Sequence, residues 1–125
     1  MSKLEYNIST EKLTWISNGK TIGIWHARSG GNDGFKHLPR GVYTVGNPHS
    51  DKILHGLKAG FNVSGTNNGY FIPLYRSGIG RKGFGIHPDG GKPKTHGCVG
   101  ISKNAIQFFH KFISSNPRPT RLYVK

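Results

Sequence analysis

The amino-acid sequence predicts a mainly β protein, with one helix in the C-terminal half packed on the sheet. Three observations carry that prediction. Nineteen glycines and seven prolines in 125 residues supply the tight turns that many short strands need. Apolar and polar residues alternate over short runs, the period of a half-buried strand. Apolar residues at clear helical spacing occur in one stretch, 103–114. A chain of 125 residues reads as one domain, 1–125, and at that size a fold buries roughly two-thirds of its unfolded surface, enough for a core without staples.

Taken in order, Leu4, Tyr6 and Ile8 alternate with polar residues and predict a first strand. Leu13, Trp15 and Ile16 continue apolar after a turn. Asn18-Gly19 is a hairpin dipeptide, since both positions tolerate positive φ. Thr21–Ala27 is then the returning strand, and the N-terminal third is a β-meander. Arg28–Arg40 has loop composition. Gly41–Gly46 predicts a short strand, with Val42 and Thr44 on one face and Tyr43 and Val45 on the other. Asn47–Thr66 has mixed apolar spacing and predicts no element. Asn67-Asn68-Gly69 predicts a turn. Tyr70–Tyr75 is β-prone, with Pro73 pointing to an edge or a bulge.

Ser77–Gly83 is a glycine loop without the spacing of a nucleotide fingerprint. Phe84–His87 reads as a buried strand ending at the histidine, and Cys98–Ile101 as another. Ser102 is the expected N-cap of the helix. Ile106, Phe109 and Ile113 repeat at helical spacing, with Ala105 and Phe112 beside them. Asn116–Thr120 stops the helix, and Leu122–Val124 gives a terminal strand.

Lysine and arginine number 18 against five acidic residues, a formal charge of +13. That predicts attraction to a polyanion, whether nucleic acid, anionic lipid or an anionic cell-wall polymer, without choosing among them. No stretch approaches the roughly 20 apolar residues of a membrane span. The opening residues lack the apolar run of a signal peptide, so the expectation is synthesis in the cytoplasm, with any export carried by other means. One cysteine excludes an intrachain disulfide.

The chemistry concentrates in Phe84–Ile101. Cys98 is the only thiol, with His87 and His96 close in sequence and Lys92 and Lys94 in the intervening loop. Thiolate is the reactive form of cysteine, and imidazole or cationic neighbours raise its population. Pairing of the two predicted strands would bring His87 toward Cys98 as a general base. Gly97 clears the approach of a carbonyl. The backbone N–H of Cys98, with help from Gly97 or His96, could stabilise the oxyanion of a tetrahedral intermediate. His96 shares a face with Cys98 in an extended segment, and the Thr95 hydroxyl could fix a ring tautomer.

Alone, such a cysteine beside Val99 is more often a small buried hydrophobe, and a strand-end histidine a polar rim residue. Their concentration in one window favours catalysis. Two other readings use the same residues. His87, Asp89, His96 and Cys98 are zinc-ligand types, which allows a zinc amidase or peptidase, although no H-E-x-x-H helix is present. Interspersed basic and aromatic residues allow a nucleic-acid-binding module, although no such motif is visible.

His87, a glycine-containing loop and then Thr95-His96-Gly97-Cys98-Val99 resemble the L,D-transpeptidase catalytic domain (YkuD-type) family. Its pattern is a histidine, a loop and S/T-H-G-C-I/V-R. WHARSGG followed by Pro39-Arg40-Gly41-Val42-Tyr43, a P-x-G-x-Y-like turn, is similar to a compact subgroup, the small L,D-transpeptidase-like effectors of type VI secretion systems. Gly100 departs from the pattern where the family carries arginine, so a contact made there must come from elsewhere, with Arg76 or Arg81 as candidates.

The resemblance implies an L,D-transpeptidase-type β-sandwich acting on peptidoglycan stem peptides. Cys98 would attack the carbonyl joining the third residue to D-alanine, His87 would move the protons, and His96 would orient. Thr95, Arg76, Ser77 and Arg81 are the expected substrate contacts. The resemblance calls for no metal or cofactor and no nucleic-acid partner. It implies water or an amine resolving the thioester. It also implies delivery by a secretion apparatus into the periplasm of a target cell, and a cognate immunity protein.

Overall fold

The computed structural model describes residues 2–30, 37–56, 61–78, 83–89 and 98–125. β1 (Ser2–Asn7) and β2 (Lys12–Ser17) pair antiparallel, with Leu4 opposite Trp15 and Tyr6 opposite Leu13. β3 (Lys20–Ser29) returns along β2 through the Asn18-Gly19 turn. Both turn residues have positive φ, 51° and 78°, as the two-residue hairpin requires. The expected meander is therefore present.

β4 (Gly41–Val45), β7 (Ile72–Tyr75), β8 (Gly85–Pro88), β9 (Val99–Ile101) and β10 (Arg121–Val124) complete the main sheet, while β5 (Leu54–His55) and β6 (Asn68–Gly69) form a separate two-stranded ribbon. The main order is β1-β10-β4-β7-β8-β9-β3-β2, closed on itself. β3 pairs with β2 and then with β9, and β7 pairs with β8 and then with β4. These two strands are corners shared by the two layers. The mainly β architecture expected from the sequence, with one helix among the described residues, is thus a sandwich joined at both sides into a closed barrel, so that each of its eight strands is paired on both sides.

Alternation decides which residues fill it. Leu4, Tyr6, Leu13, Trp15, Trp25, Ala27, Tyr43, Val45, Ile72, Leu74, Ile86, Val99 and Ile101 are buried inside, and cross-strand partners such as Ala27–Ile101 and Ile72–Ile86 share that face. α1 (Ala105–Ser114) buries Ala105, Phe108, Phe109 and Phe112, one stripe at helical spacing. Phe108 meets Trp15 and Trp25 at 5.8 and 5.0 Å between ring centroids, and Phe109 stacks on Tyr70 at 4.5 Å. Among the described residues no helix is long and apolar enough to cross a membrane.

Four expectations change. The turn expected at Asn67–Gly69 lies earlier, where Thr66 N–H bonds to the Val63 carbonyl, and Asn68-Gly69 form β6 instead. Pro73 is not on an edge. It lies at a corner, where pairing passes from β8 to β4 and an N–H is not required. Ser102 does not cap α1. Asn104 is the cap residue, in left-handed conformation and without a side-chain cap bond. Ser102 ties β9 to β3 instead, with its N–H and Oγ directed to the His26 carbonyl, both at 3.0 Å, and Oγ 2.6 Å from His26 Nδ1. The buried helix stripe is centred on Phe108, with Ile106 and Ile113 only half-buried.

Candidate active site

β8 and β9 run parallel, with Ile86 beside Val99 and His87 beside Gly100. The condition set by the sequence reading, that these two strands pair, is met. Its register fixes the faces. Ile86 and Val99 point inward, so His87 and Gly100 point outward, and continuing one residue back sets Cys98 beside Gly85 on the same outer face. Cys98 and His87 are therefore diagonal neighbours on adjacent strands.

An outward histidine would normally meet water. His87 is only 3% exposed because Phe61 and Phe71 cover it, with ring centroids at 4.6 and 6.0 Å. Phe71 is one residue before β7 and abreast of His87 by that strand's register. Gly85 makes room for it, since a Cβ there would come within 2.3 Å of the Phe71 ring.

His87 Nδ1 lies 2.6 Å from the Pro88 carbonyl oxygen. A carbonyl can only accept, so Nδ1 carries the hydrogen and the lone pair is on Nε2. Burial pushes the imidazole down to about 4, against a smaller opposing effect of the Pro88 bond. The ring is thus neutral at physiological pH and available as a base. The Cys98 thiol contacts the Gly83 carbonyl at 3.7 Å, and the residue is 8% exposed. A neutral imidazole and a thiol on one face of two paired strands can together remove a proton from sulfur and return it to a leaving group.

Thr95, His96, Gly97, Arg81, Lys92 and Lys94 lie outside the described residues. Arg76 and Ser77 are exposed and line a cleft that also includes Gly83. Among the described residues no group of three His, Cys, Asp or Glu side chains is placed to hold a metal ion.

Sequence reasoning missed Phe61 and Phe71. Phe61 follows irregular sequence and carries no signal. Phe71 was legible in principle, because strand parity places it with Pro73 and Tyr75 on the outer face. Arg28 was also missed. It lies abreast of Gly100 on β3, in the same row as His87, and pairs with Glu11 at 3.5 Å. It is therefore the arginine of the described structure nearest in register to the one the family pattern places at position 100.

Fold and site together define a small closed β scaffold with a cysteine and a histidine diagonally placed on one outer face. The family model described as YkuD, L,D-transpeptidase catalytic domain, matches residues 2–120, and the chain belongs to that family. Comparison with curated protein sequences returns no match. Among solved structures, a mutant L,D-transpeptidase from Enterococcus faecium superposes with TM-score 0.64 at 18% identity, covering 99% of this chain and 49% of that one. The L,D-transpeptidase from Mycobacterium smegmatis gives 0.63 at 14%, covering 99% and 58%. Mycobacterium tuberculosis L,D-transpeptidase 1 gives 0.60 at 18%, covering 99% and 60%. The chain thus spans about half to three-fifths of the length of these structures.

Proposed function

We propose that this protein modifies peptidoglycan through a cysteine nucleophile, acting on the bond between the third residue and D-alanine of stem peptides. The observation that supports the reading is the diagonal placement, on one outer face, of Cys98 and a His87 whose Nδ1–H is fixed by Pro88. Cys98 Sγ attacks the carbonyl carbon as its proton passes to His87 Nε2. The tetrahedral intermediate collapses when that proton moves to the departing amine, D-alanine leaves, and a thioester remains. Water then releases a shortened peptide, or an amine forms a cross-link or exchanges the terminal residue. His87 takes the proton of the attacking group and returns it to sulfur. Backbone N–H groups at Gly97 and Cys98 serve as oxyanion donors in this scheme, with His96 orienting and Thr95, Arg76, Ser77 and Arg81 contacting substrate.

Mass spectrometry of tetrapeptide stems incubated with wild type and Cys98→Ala tests it. Loss or exchange of terminal D-alanine only with intact Cys98 is the expected result. Full turnover by Cys98→Ala, or turnover abolished by a chelator and untouched by thiol alkylation, overturns it in favour of metal chemistry.

We propose further that the enzyme is a small antibacterial effector, delivered by a secretion apparatus and countered by an immunity protein. The P-x-G-x-Y turn at Pro39–Tyr43 and the net charge of +13 support this reading. Expression with and without a periplasmic leader decides. Toxicity only with the leader and intact Cys98 is expected, and equal toxicity or none in either compartment overturns it.

A further inference from the structure

A cleft of about 610 Å³ crosses the outer face of β4 and β7, lined by residues that include Thr44, His49, Phe71, Pro73, Arg76 and Gly83. By register, Pro73 and Gly85 are abreast, so this face is continuous with the one bearing His87 and Cys98. Gly83, whose carbonyl receives the Cys98 thiol, forms part of the wall. Phe71, stacked on His87, forms another part. The cleft therefore borders residues that touch the thiol and the imidazole.

Arg76 lines this cleft. Arg76 Nη1 donates to the Arg40 carbonyl at 2.6 Å, and the guanidinium lies over the Tyr43 ring at 5.4 Å. Tyr43 is itself held by its hydroxyl, which donates to the Pro39 carbonyl at 2.6 Å. Gly41 completes the seat, because a Cβ at that position would come within 2.3 Å of Nη1. The turn Pro39-Arg40-Gly41-Val42-Tyr43 is thus a cradle for one guanidinium. None of the ion pairs among the described residues involves Arg76. Only one of its five N–H donors is accounted for by the Arg40 bond. A guanidinium held at one N–H, with no counter-charge among the described residues, matches the fork of a carboxylate, and part of the ordering entropy is already spent.

We propose that Arg76, with His49 in the same cleft, forms a carboxylate-binding subsite that anchors the peptide substrate while its scissile carbonyl lies at Cys98. The inference rests on the function proposed above and adds the chemistry that selects the substrate. Two carboxylates qualify, the terminal one of D-alanine and one on the side chain of the third residue.

Three tetrapeptides separate them, with both groups free, the terminus amidated, or the third-residue side chain amidated. KM and kcat are measured with wild type, Arg76→Gln and Arg76→Lys. Equilibrium binding is measured by calorimetry with each of these in a Cys98→Ala background. Amidation at one of the two positions should raise the wild-type KM and dissociation constant by about 10- to 100-fold, the range of a hydrogen-bonded charge. Arg76→Gln should impose the same loss on the free peptide and none beyond it on the amidated one, with kcat moved less. The position showing that coupling identifies the carboxylate. Arg76→Lys should recover part of the loss, and it carries the comparison if Arg76→Gln fails to fold. Equal losses on all three peptides, or none, overturn the subsite. If wild type releases D-alanine from no peptide, the functional reading fails. The calorimetry still decides the subsite, which stands with coupling to one amidation and falls without it.

Discussion

Phe71 stacks on His87 with the two rings 12° from parallel and their centroids 6.0 Å apart. Phe61 meets both, at 5.1 Å from Phe71 and 4.6 Å from His87. This three-ring cluster turns an outward strand position into a dry one. Desolvation disfavours the imidazolium, so the candidate base stays neutral without a carboxylate to orient it. The Pro88 carbonyl does the orienting.

The activity expected of this site should persist into acid. A base held at about 4 keeps its lone pair well below the usual histidine range. The acid limb of kcat/KM on a stem peptide should fall near pH 4, and a limb near 6.5 would refute the assignment of His87 as base. Stability follows the same group. The folded value is depressed from 6.5 to about 4, so between those pH values the unfolded chain binds a proton that the folded chain does not. The stabilisation is whole above about pH 6.5, declines as pH falls through that window and levels off below it, with about 3 kcal/mol at most at stake. Urea denaturation of wild type and His87→Gln from pH 7 to 4 measures it. The extra slope should vanish in the variant.

Gly85→Ala should disturb the same cluster from beneath. Its Cβ would come within 2.3 Å of the Phe71 ring, so the ring that stacks on His87 must shift. Overpacking of this kind costs about 1–3 kcal/mol. Water reaching the imidazole should move the acid limb upward toward the ordinary histidine range. An unchanged limb alongside wild-type stability would show that the ring moves without uncovering His87.

The helix gives a ranking to test. Phe108 is fully buried against Trp15, Trp25 and Phe112. Phe108→Ala should cost about 3–5 kcal/mol. Ile113→Ala, at a half-buried site, should cost distinctly less in the same denaturation experiment. The reverse order would mean that the helix packs by the face the sequence pattern favoured.

Elements with a local cause were the legible ones. The Asn18-Gly19 hairpin, the alternation in β1 and β4, and the existence of α1 each follow from backbone preference or period within a few residues. β8 and β9 were legible as strands because two apolar runs bracket the histidine–cysteine stretch, while their pairing entered only as a condition for bringing His87 toward Cys98. What escaped depends on distant partners. Closure through β1 and β10 joins residues near the two ends of the chain, which no local pattern encodes. Ser102 looked like a cap because caps and tertiary latches use the same hydroxyl. Phe61 and Phe71 became part of the site through tertiary covering alone. Cys98 and His87 were legible as chemistry, while the reason His87 stays neutral was not.

Ser102 and His26 should behave as one unit. Three contacts join them across β9 and β3. Ser102→Ala should cost about 1–2 kcal/mol, as for loss of a partly buried hydrogen bond. In a double-mutant cycle with His26→Ala the losses should be non-additive. Asn104→Gly should be neutral or stabilising, because Asn104 holds φ 55° without a cap bond. Strict additivity of the first pair, with Asn104→Gly damaging the helix, would restore Ser102 as the helix cap.

Gly41→Ala tests the arginine seat without touching the arginine. Gly41 has φ 139°, which strains any residue with a Cβ. That Cβ would also occupy the place of Arg76 Nη1. Both effects destabilise, by about 1–3 kcal/mol together, and the second expels the guanidinium from its bond to Arg40. If the seat exists to present Arg76, Gly41→Ala should raise KM for the free-carboxylate peptide by the factor seen for Arg76→Gln. The double variant should show no further rise, since the group has been removed from the cleft either way. Lowered stability with an unchanged KM would separate the two roles and leave Gly41 serving the fold alone.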